Sequence, residues 1–261
     1  MFIFVQINPH SMNFHTRKQL ILSELERRGS AEVRELAGLI GASDMTIRRD
    51  LTQLADEGLL CRTHGGAMRP DLAKQSVRFD QKMASREDQK AYICQLAAQE
   101  IQPGETILLD CGSTVFRLCP HIQHLPIQVI TNSLPIVAAL LHSQVRVNVV
   151  GGELDHDRQA MHGLMAQQHL SQYRADRAFI GVDGLSLANG LSANSEKEAN
   201  MALSLAKQAK HVYLLCDSSK LERDKYLAFA PLSLAHTLIT DREAPPELVE
   251  AYRQAGIWVR P

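Results

Sequence analysis

The 261-residue chain carries 28 Lys and Arg against 29 Asp and Glu, a formal net charge of −1, with 45% apolar residues. That balance suits buried cores and excludes a generally basic coat, so any nucleic-acid contact has to come from a local cluster. No stretch approaches the roughly eighteen uninterrupted apolar residues of a membrane span, and the five cysteines (Cys61, Cys94, Cys111, Cys119, Cys216) are odd in number and form no C-x-x-C pair. Neither a disulfide framework nor a zinc ribbon is indicated, and reduced thiols in a soluble cytoplasmic protein are expected.

The opening "MFIFVQINPHSM" is apolar but short, lacks a basic start and ends at a second methionine, Met12. Residues 1–11 read as a dispensable extension. From Thr16 to Arg28, Leu20, Ile21 and Leu25 fall at helical spacing until Gly29 ends the run. In "AEVRELAGLIG" the residues Val33, Leu36, Ala37 and Ile40 share one face of a second, shorter helix that stops at Gly41. "ASDMTIRRDLTQLADEG" then repeats Ile47, Leu51 and Leu54 at helical intervals, with Ser43 placed to cap the first turn. Two helices joined by so tight a turn, followed by "LLCRTHGGAM", predict a helix-turn-helix with a β-hairpin wing over residues 12–70, with Gly65-Gly66 permitting the exit turn. Polar residues 71–86 read as a linker. From residue 87 to 261, "ETILLD", "IQVITN", "VRVNVVGG", "ADRAFIGVDG", "KHVYLLCD", "AHTLITD" and "GIWV" alternate with helical patterns, which predicts βαβ units and a largely parallel sheet, an α/β domain.

With Ile47, Leu51 and Leu54 facing inward, a 100° step per residue turns Met45, Arg49 and Thr52 outward and leaves Thr46 and Arg48 on the flanks. Arg bridges guanine O6 and N7, and Thr serves methyl or phosphate contacts. Arg48 and Arg49 are therefore the leading candidates to read bases, while Arg62 and His64 in the wing would hold the DNA backbone. An arginine pair alone is more often a solvated helix face. From Met12 to Pro70 there are nine Lys and Arg against eight Asp and Glu, so the domain as a whole is not basic. The arginines nevertheless gather on the expected reading helix and wing.

"RKQLILSELERRGSAEVRELAGLIGASDMTIRRDLTQLADEGLLCRTHGGA", above all "SDMTIRRDL" followed by "HGGA", resembles the N-terminal winged helix of DeoR-family transcriptional regulators, and the resemblance extends more loosely over nearly all the rest. It implies a DNA-binding regulator, mostly a repressor of a sugar or sugar-derivative catabolic operon, whose C-terminal domain senses a phosphorylated intermediate. Operator DNA and a phosphorylated sugar are the expected partners, and a homodimer or homotetramer the expected assembly, because such readers occupy paired half-sites. Neither a cofactor nor a membrane is expected.

In an open α/β sheet, ligands bind beyond the carboxyl ends of the strands. Asp110, Gly112, Ser113 and Thr114 sit at such a junction, where a glycine admits a ligand and hydroxyls and helix N–H groups favour an anion such as phosphate. Thr131, Asn132 and Ser133, then Gly151 and Gly152, then Gly181 to Gly184 and Asp217 to Lys220 end later strands in the same way. Each cluster alone is as often a plain turn or cap; their repetition makes the joint case for one rim. The C-terminal half is further similar to ribose-5-phosphate isomerase, a Rossmann-like fold. That similarity puts "DCGST" in the place of the phosphate loop, Lys220 of "DSSK" in that of a phosphate-side lysine and Asp183 in that of the first carboxylate of an acidic pair. Its partner position carries Ser186, "LANGLS" replaces the lysine-and-glycine loop, and the base position falls near Ala202, with Glu196 and Glu198 close by. A sensor without catalysis is expected, with an isomerase-like enzyme fused to a DNA-binding domain as the alternative. Asp155, His156, Asp157 and His162 suggest a pocket loop more than a metal site, and Cys111 and Cys119 suggest packed, inert thiols.

Overall fold

A computed structural model describes residues 13–28, 30–62, 65–68, 79–83 and 85–261. The chain separates into two compact units, residues 1–75 and 76–261.

In the first unit α1 (Phe14–Arg28), β1 (Ser30–Glu32), α2 (Val33–Ile40), α3 (Asp44–Asp56), β2 (Cys61–Arg62) and β3 (Gly66–Met68) enclose a core built on Ile21, Leu25, Leu36, Ile47, Leu51 and Leu54, all buried. The helical stripes of the sequence are thus the packed faces, except that Leu20 of the first stripe is exposed. Gly41 ends α2 in the left-handed region, at φ 71°, and its N–H reaches the Ala37 carbonyl, a cap that L-side chains adopt at a cost. The wing differs from a plain hairpin. Residues 30–32 form a strand against β3, although Ala31 and Glu32 were read with the second helix, so the order is β1-β3-β2 and antiparallel throughout. Three residues are too few to show alternation, and Glu32 then serves the helix start, its backbone N–H donating to Glu35 Oε2 at 3.1 Å. Gly66 is needed for closeness, not for a turn: a Cβ there would lie 2.0 Å from the Ala31 carbonyl oxygen.

The second unit begins with α4 (Phe79–Met83) and α5 (Glu87–Ala98). The stretch expected as a linker therefore contains a helix; residues 71–78 lie outside the described part. Then follow β4 (Thr106–Leu109), α6 (Ser113–Phe116), α7 (Cys119–Ile122), β5 (Gln128–Thr131), α8 (Leu134–Leu140), β6 (Arg146–Val149), β7 (Glu153–Asp155), β8 (Ala160–His162), α9 (Leu164–Leu170), β9 (Ala175–Gly181), β10 (Gly184–Ser186), β11 (Gly190–Ala193), α10 (Glu196–Gln208), β12 (Ala209–Leu215), β13 (Leu227–Ala230), β14 (Thr237–Ile239), α11 (Pro246–Gln254) and β15 (Trp258–Arg260).

The seven apolar runs of the sequence become one parallel sheet, ordered β15-β14-β12-β9-β4-β5-β6. Alternation splits its side chains between two buried layers. Ile107 and Leu109 pack with Ile93, Cys94 and Ala97 of α5 on one face; Leu108 packs with Met201 and Leu205 of α10 on the other. The β7–β8 hairpin and the small antiparallel sheet β10-β11-β13 were not apparent in the sequence. From β4 the chain builds outward through β5 and β6, then returns to lay β9 on the opposite side of β4. The crevice beyond the ends of β4 and β9 is thus the topological switch point of the sheet.

Candidate functional site

On the first unit, Ser43 accepts from Thr46 N at 3.2 Å and caps α3, with its hydroxyl 2.9 Å from that of Thr46. Both residues are used in starting the helix. Asp50 is buried and pairs with Arg17 of α1, Nε to Oδ2 at 2.6 Å, so it anchors α3 to α1. Thr52 donates to the Arg48 carbonyl at 2.9 Å and accepts from Arg62 Nη1 at 2.7 Å; the same Arg62 nitrogen donates to the Arg48 carbonyl at 3.0 Å. Arg62 thereby ties the wing to the helix, a role that spacing did not reveal. Met45, at 81% exposure, and Arg48 and Arg49 stand open to solvent. His64 lies outside the described residues.

In the second unit, Asp110, Cys111, Gly112, Ser113 and Thr114 line a cavity at the switch point together with Lys82, Arg158, Gly181, Asp183, Glu198, Ala202 and Lys220. Asp110 spans the crevice: Oδ1 accepts from Cys111 N at 2.8 Å and Oδ2 from Gly181 N at 3.1 Å. Asp183 accepts from Lys82 Nζ at 2.6 Å and, on its other oxygen, from the backbone and side-chain nitrogens of Asn194 at 3.2 and 2.9 Å. Glu198 Oε1 lies 2.7 Å from Arg158 Nε and 3.8 Å from Lys82 Nζ. Lys220 Nζ donates to the Val182 carbonyl at 3.0 Å and lies 3.6 Å from Asp217. A Cβ at Gly112 or Gly181 would meet nothing nearer than 3.6 Å. The fold tolerates one there, so the glycines leave room in the cavity and do not relieve a clash.

Three cations and three carboxylates face one another in this space. Burial works against the ionised Asp183, but Lys82, Arg158 and Lys220 outweigh it and hold its carboxyl at about 2. Glu198 moves the other way, pushed up by burial and then by the Asp183 charge. Burial, with Lys220 next, brings the Lys90 ammonium behind the cavity down to about 8. Burial also raises the thiols, Cys94 and Cys119 to about 12 and Cys111 upward as well, and Cys111 and Cys119 are packed in the interior as expected.

Not all of the rim converges. Thr131 donates to the Leu109 carbonyl at 2.7 Å, Asn132 to the Met161 carbonyl at 2.9 Å, and Ser133 caps α8, so these three knit strand ends and do not line the cavity. Gly151 is exposed, its N–H on His169 Nδ1. Gly152 and Gly184 allow close packing, since a Cβ would fall 2.6 Å from the His162 carbonyl oxygen and 2.0 Å from that of Arg223. At the acidic-pair positions, Ser186 bonds Asp224 at 2.7 Å outside the cavity, while Asp110 and Glu198 share the space with Asp183. Lys82 and Arg158 were missed because neither sits at a strand end. A basic residue in an apparent linker or a polar loop carries no signal until the chain folds back. Among the described residues no group of three or more His, Cys, Asp or Glu is placed to hold a metal ion, and no helix is long and apolar enough to cross a membrane.

Residues 17–72 match the DeoR-like helix-turn-helix domain, and residues 85–242 the DeoR C terminal sensor domain. A lactose phosphotransferase system repressor of Staphylococcus epidermidis is 32% identical over 247 residues, covering 92% of this chain and 98% of its own. The HTH-type transcriptional repressor GlcR of Bacillus subtilis is 30% identical over 223 residues, 85% of this chain and 86% of its own. Among solved structures, ribose 5-phosphate isomerase A of Methanocaldococcus jannaschii shares 19% identity at a TM-score of 0.40, over 52% of this chain and 55% of that one, a likeness too distant to carry an argument. Two family matches spanning most of the chain, with relatives aligned over nearly their whole length, give one conclusion: the protein belongs to the DeoR family of DNA-binding transcriptional regulators.

Proposed function

We propose that this regulator represses an operon for the use of a sugar or sugar derivative, and that a phosphorylated sugar bound beside Asp110–Thr114 relieves repression. The observation that carries the reading is the presence of Lys82, Arg158 and Lys220 in one cavity with Ser113 and Thr114 of α6 at the switch point of the sheet. Such a site favours an anion, and Asp110, Asp183 and Glu198 offer acceptors for sugar hydroxyls. Relatives named as repressors of a lactose phosphotransferase system support the link to sugar metabolism. Met45, Arg48 and Arg49 form the reading surface, Arg62 and His64 the wing contacts, and the protein works in the cytoplasm as a symmetric dimer or tetramer on paired half-sites. Ligand acts by binding one arrangement of that assembly better than the other.

The test is a fluorescence-anisotropy titration of DNA from the promoter region of its own gene, repeated with hexose and pentose phosphates. Release by one phosphorylated sugar and not by the free sugar is expected; tight DNA binding indifferent to every one of them would overturn the effector. The Asp183–Glu198 pair favours one second reading, a residual isomerase activity. Turnover of a sugar phosphate that disappears in Asp183→Asn would establish it, although both carboxylates are already held in ion pairs.

A further inference from the structure

Charge lines only part of the cavity. Val182, Ala193, Ala202 and Phe229 bring side chains of carbon alone to the same space as the cations and carboxylates. Val182, Ala193 and Ala202 are buried, whereas Phe229 is half-buried. Ala202 stands one turn after Glu198 on α10, so a methyl group follows the carboxylate along one face of the helix and leaves width beside it.

Phe229 reaches the cavity because β13 is irregular. Leu191 of β11 pairs with Ala230 of β13, and the next residue, Ser192, pairs with Ala228. Phe229 is therefore an extra residue between two consecutive partners, a β-bulge. In a regular strand Phe229 and Ala230 would face opposite sides of the sheet. Here Ala230 is buried in a core cluster against which Phe229 also packs. Gly190 of β11 lies hard against this bend, since a Cβ there would fall 2.3 Å from the Ala230 carbonyl oxygen. Bulges recur beside binding sites because they re-aim one side chain, and this one delivers the single aromatic ring that lines the cavity among the described residues. That ring meets no other aromatic ring among them. The enclosed space is about 30 Å³, room for only a few atoms of a ligand. The body of a sugar phosphate has to lie toward solvent, and Phe229 is the apolar lining side chain that solvent also reaches.

We propose that Phe229, with Ala193 and Ala202 beside it, is a platform for a sugar ring, and that it selects a pyranose phosphate over an open-chain sugar phosphate. The C–H face of a pyranose lies flat on an aromatic ring and buries apolar area there, which leaves its hydroxyls at the edge for Asp183 and Glu198. An open chain has no continuous C–H face and loses more rotational freedom on binding. The inference rests on the reading of the cavity as a sugar-phosphate site and adds the form in which the sugar is held.

The experiment is calorimetric titration of the full chain with inorganic phosphate, with the 6-phosphates of glucose, mannose and galactose, and with those of glucitol, mannitol and galactitol, their reduced open-chain counterparts. The wild type should bind at least one hexose phosphate about tenfold tighter than its alditol. Phe229→Leu and Phe229→Ala should cut that ratio to about twofold or less, and Phe229→Tyr, which keeps the flat face, should preserve it. A Phe229 that only packs the core would shift hexose and alditol affinities together and leave the ratio as it was. Thermal melting shows that each variant folds, and Phe229→Leu retains apolar bulk if Phe229→Ala does not. The platform is overturned by equal affinity for ring and open chain in the wild type, by a ratio that survives in Phe229→Leu, or by a ratio lost as fully in Phe229→Tyr. Any of these, with phosphate or a sugar phosphate still bound, leaves the anion site standing. A wild type that binds neither phosphate nor any of the sugar phosphates overturns both.

Discussion

The two units treat positive charge in opposite ways. On α3 of the winged helix, Arg48 and Arg49 are exposed and, among the described residues, their side chains make no ion pair. In the sensor unit, Lys82, Arg158 and Lys220 are wholly or largely buried and each already faces a carboxylate. A DNA duplex brings a dense row of phosphates, so a reader keeps its cations free and gains from counterion release. A small ligand brings one or two charges, and buried cations could not wait for it unpaired, since an isolated ammonium in a dry cavity is too costly. The sensor cavity is therefore neutralised by the protein's own acids.

That contrast can be broken most directly by removing one cation from each kind of site. Arg158→Met strands Glu198 and should lower the stability of the sensor unit by about 3 kcal/mol, read as a drop in its melting transition with the winged-helix transition unmoved. Arg49→Ala should leave both transitions in place and weaken operator binding by about 1–3 kcal/mol, relaxing preference at one or two base pairs; a loss of stability comparable to that of Arg158→Met would erase the distinction. Acid offers a gentler probe. Asp183 titrates near 2 when folded against an ordinary 3.8, so its contribution is present above about pH 4 and lost as pH falls toward 2. Glu198, raised above 4.5 by burial and by Asp183, has the opposite sign, and its penalty grows as pH rises through the raised value. The melting temperature of the sensor should fall on acidification below pH 4, less steeply in Asp183→Asn. The smallest effect is expected from Arg62→Ala. Because Arg62 braces α3 through Thr52 and the Arg48 carbonyl, its loss should cost about 1 kcal/mol of winged-helix stability and weaken binding alike on all DNA sequences.

Legibility followed periodicity. The stripes Leu36/Ile40 and Ile47/Leu51/Leu54 are long enough to declare their helices, and Ser43 caps α3 as its position suggested. All seven parallel strands were visible as apolar runs, most plainly the central β4, β9 and β12, whose two faces are covered. The short strands β1, β7, β8 and β10 were not, since no longer apolar run surrounds them to mark a strand. Within the site, Asp110 to Thr114, Asp183, Glu198 and Lys220 meet in one cavity. Thr131, Asn132 and Ser133 look identical in sequence and end elsewhere, because a polar residue after a strand is equally suited to capping the next helix.

By itself the sequence determined the main helices of the winged helix, the seven strands of the parallel sheet, and the polar turn after β4, since each depends on residues near one another in the chain. Only the tertiary structure decided the strand order. That order puts β9 beside β4, which makes Asp110 and Asp183 neighbours and opens the crevice between them. It also decided that Lys82, 101 positions from Asp183, fills that crevice, and that Arg158 holds Glu198 there. Ion pairs across such separations carry no periodic trace, for they are set by where the sheet brings its strand ends and not by the spacing of residues along the chain.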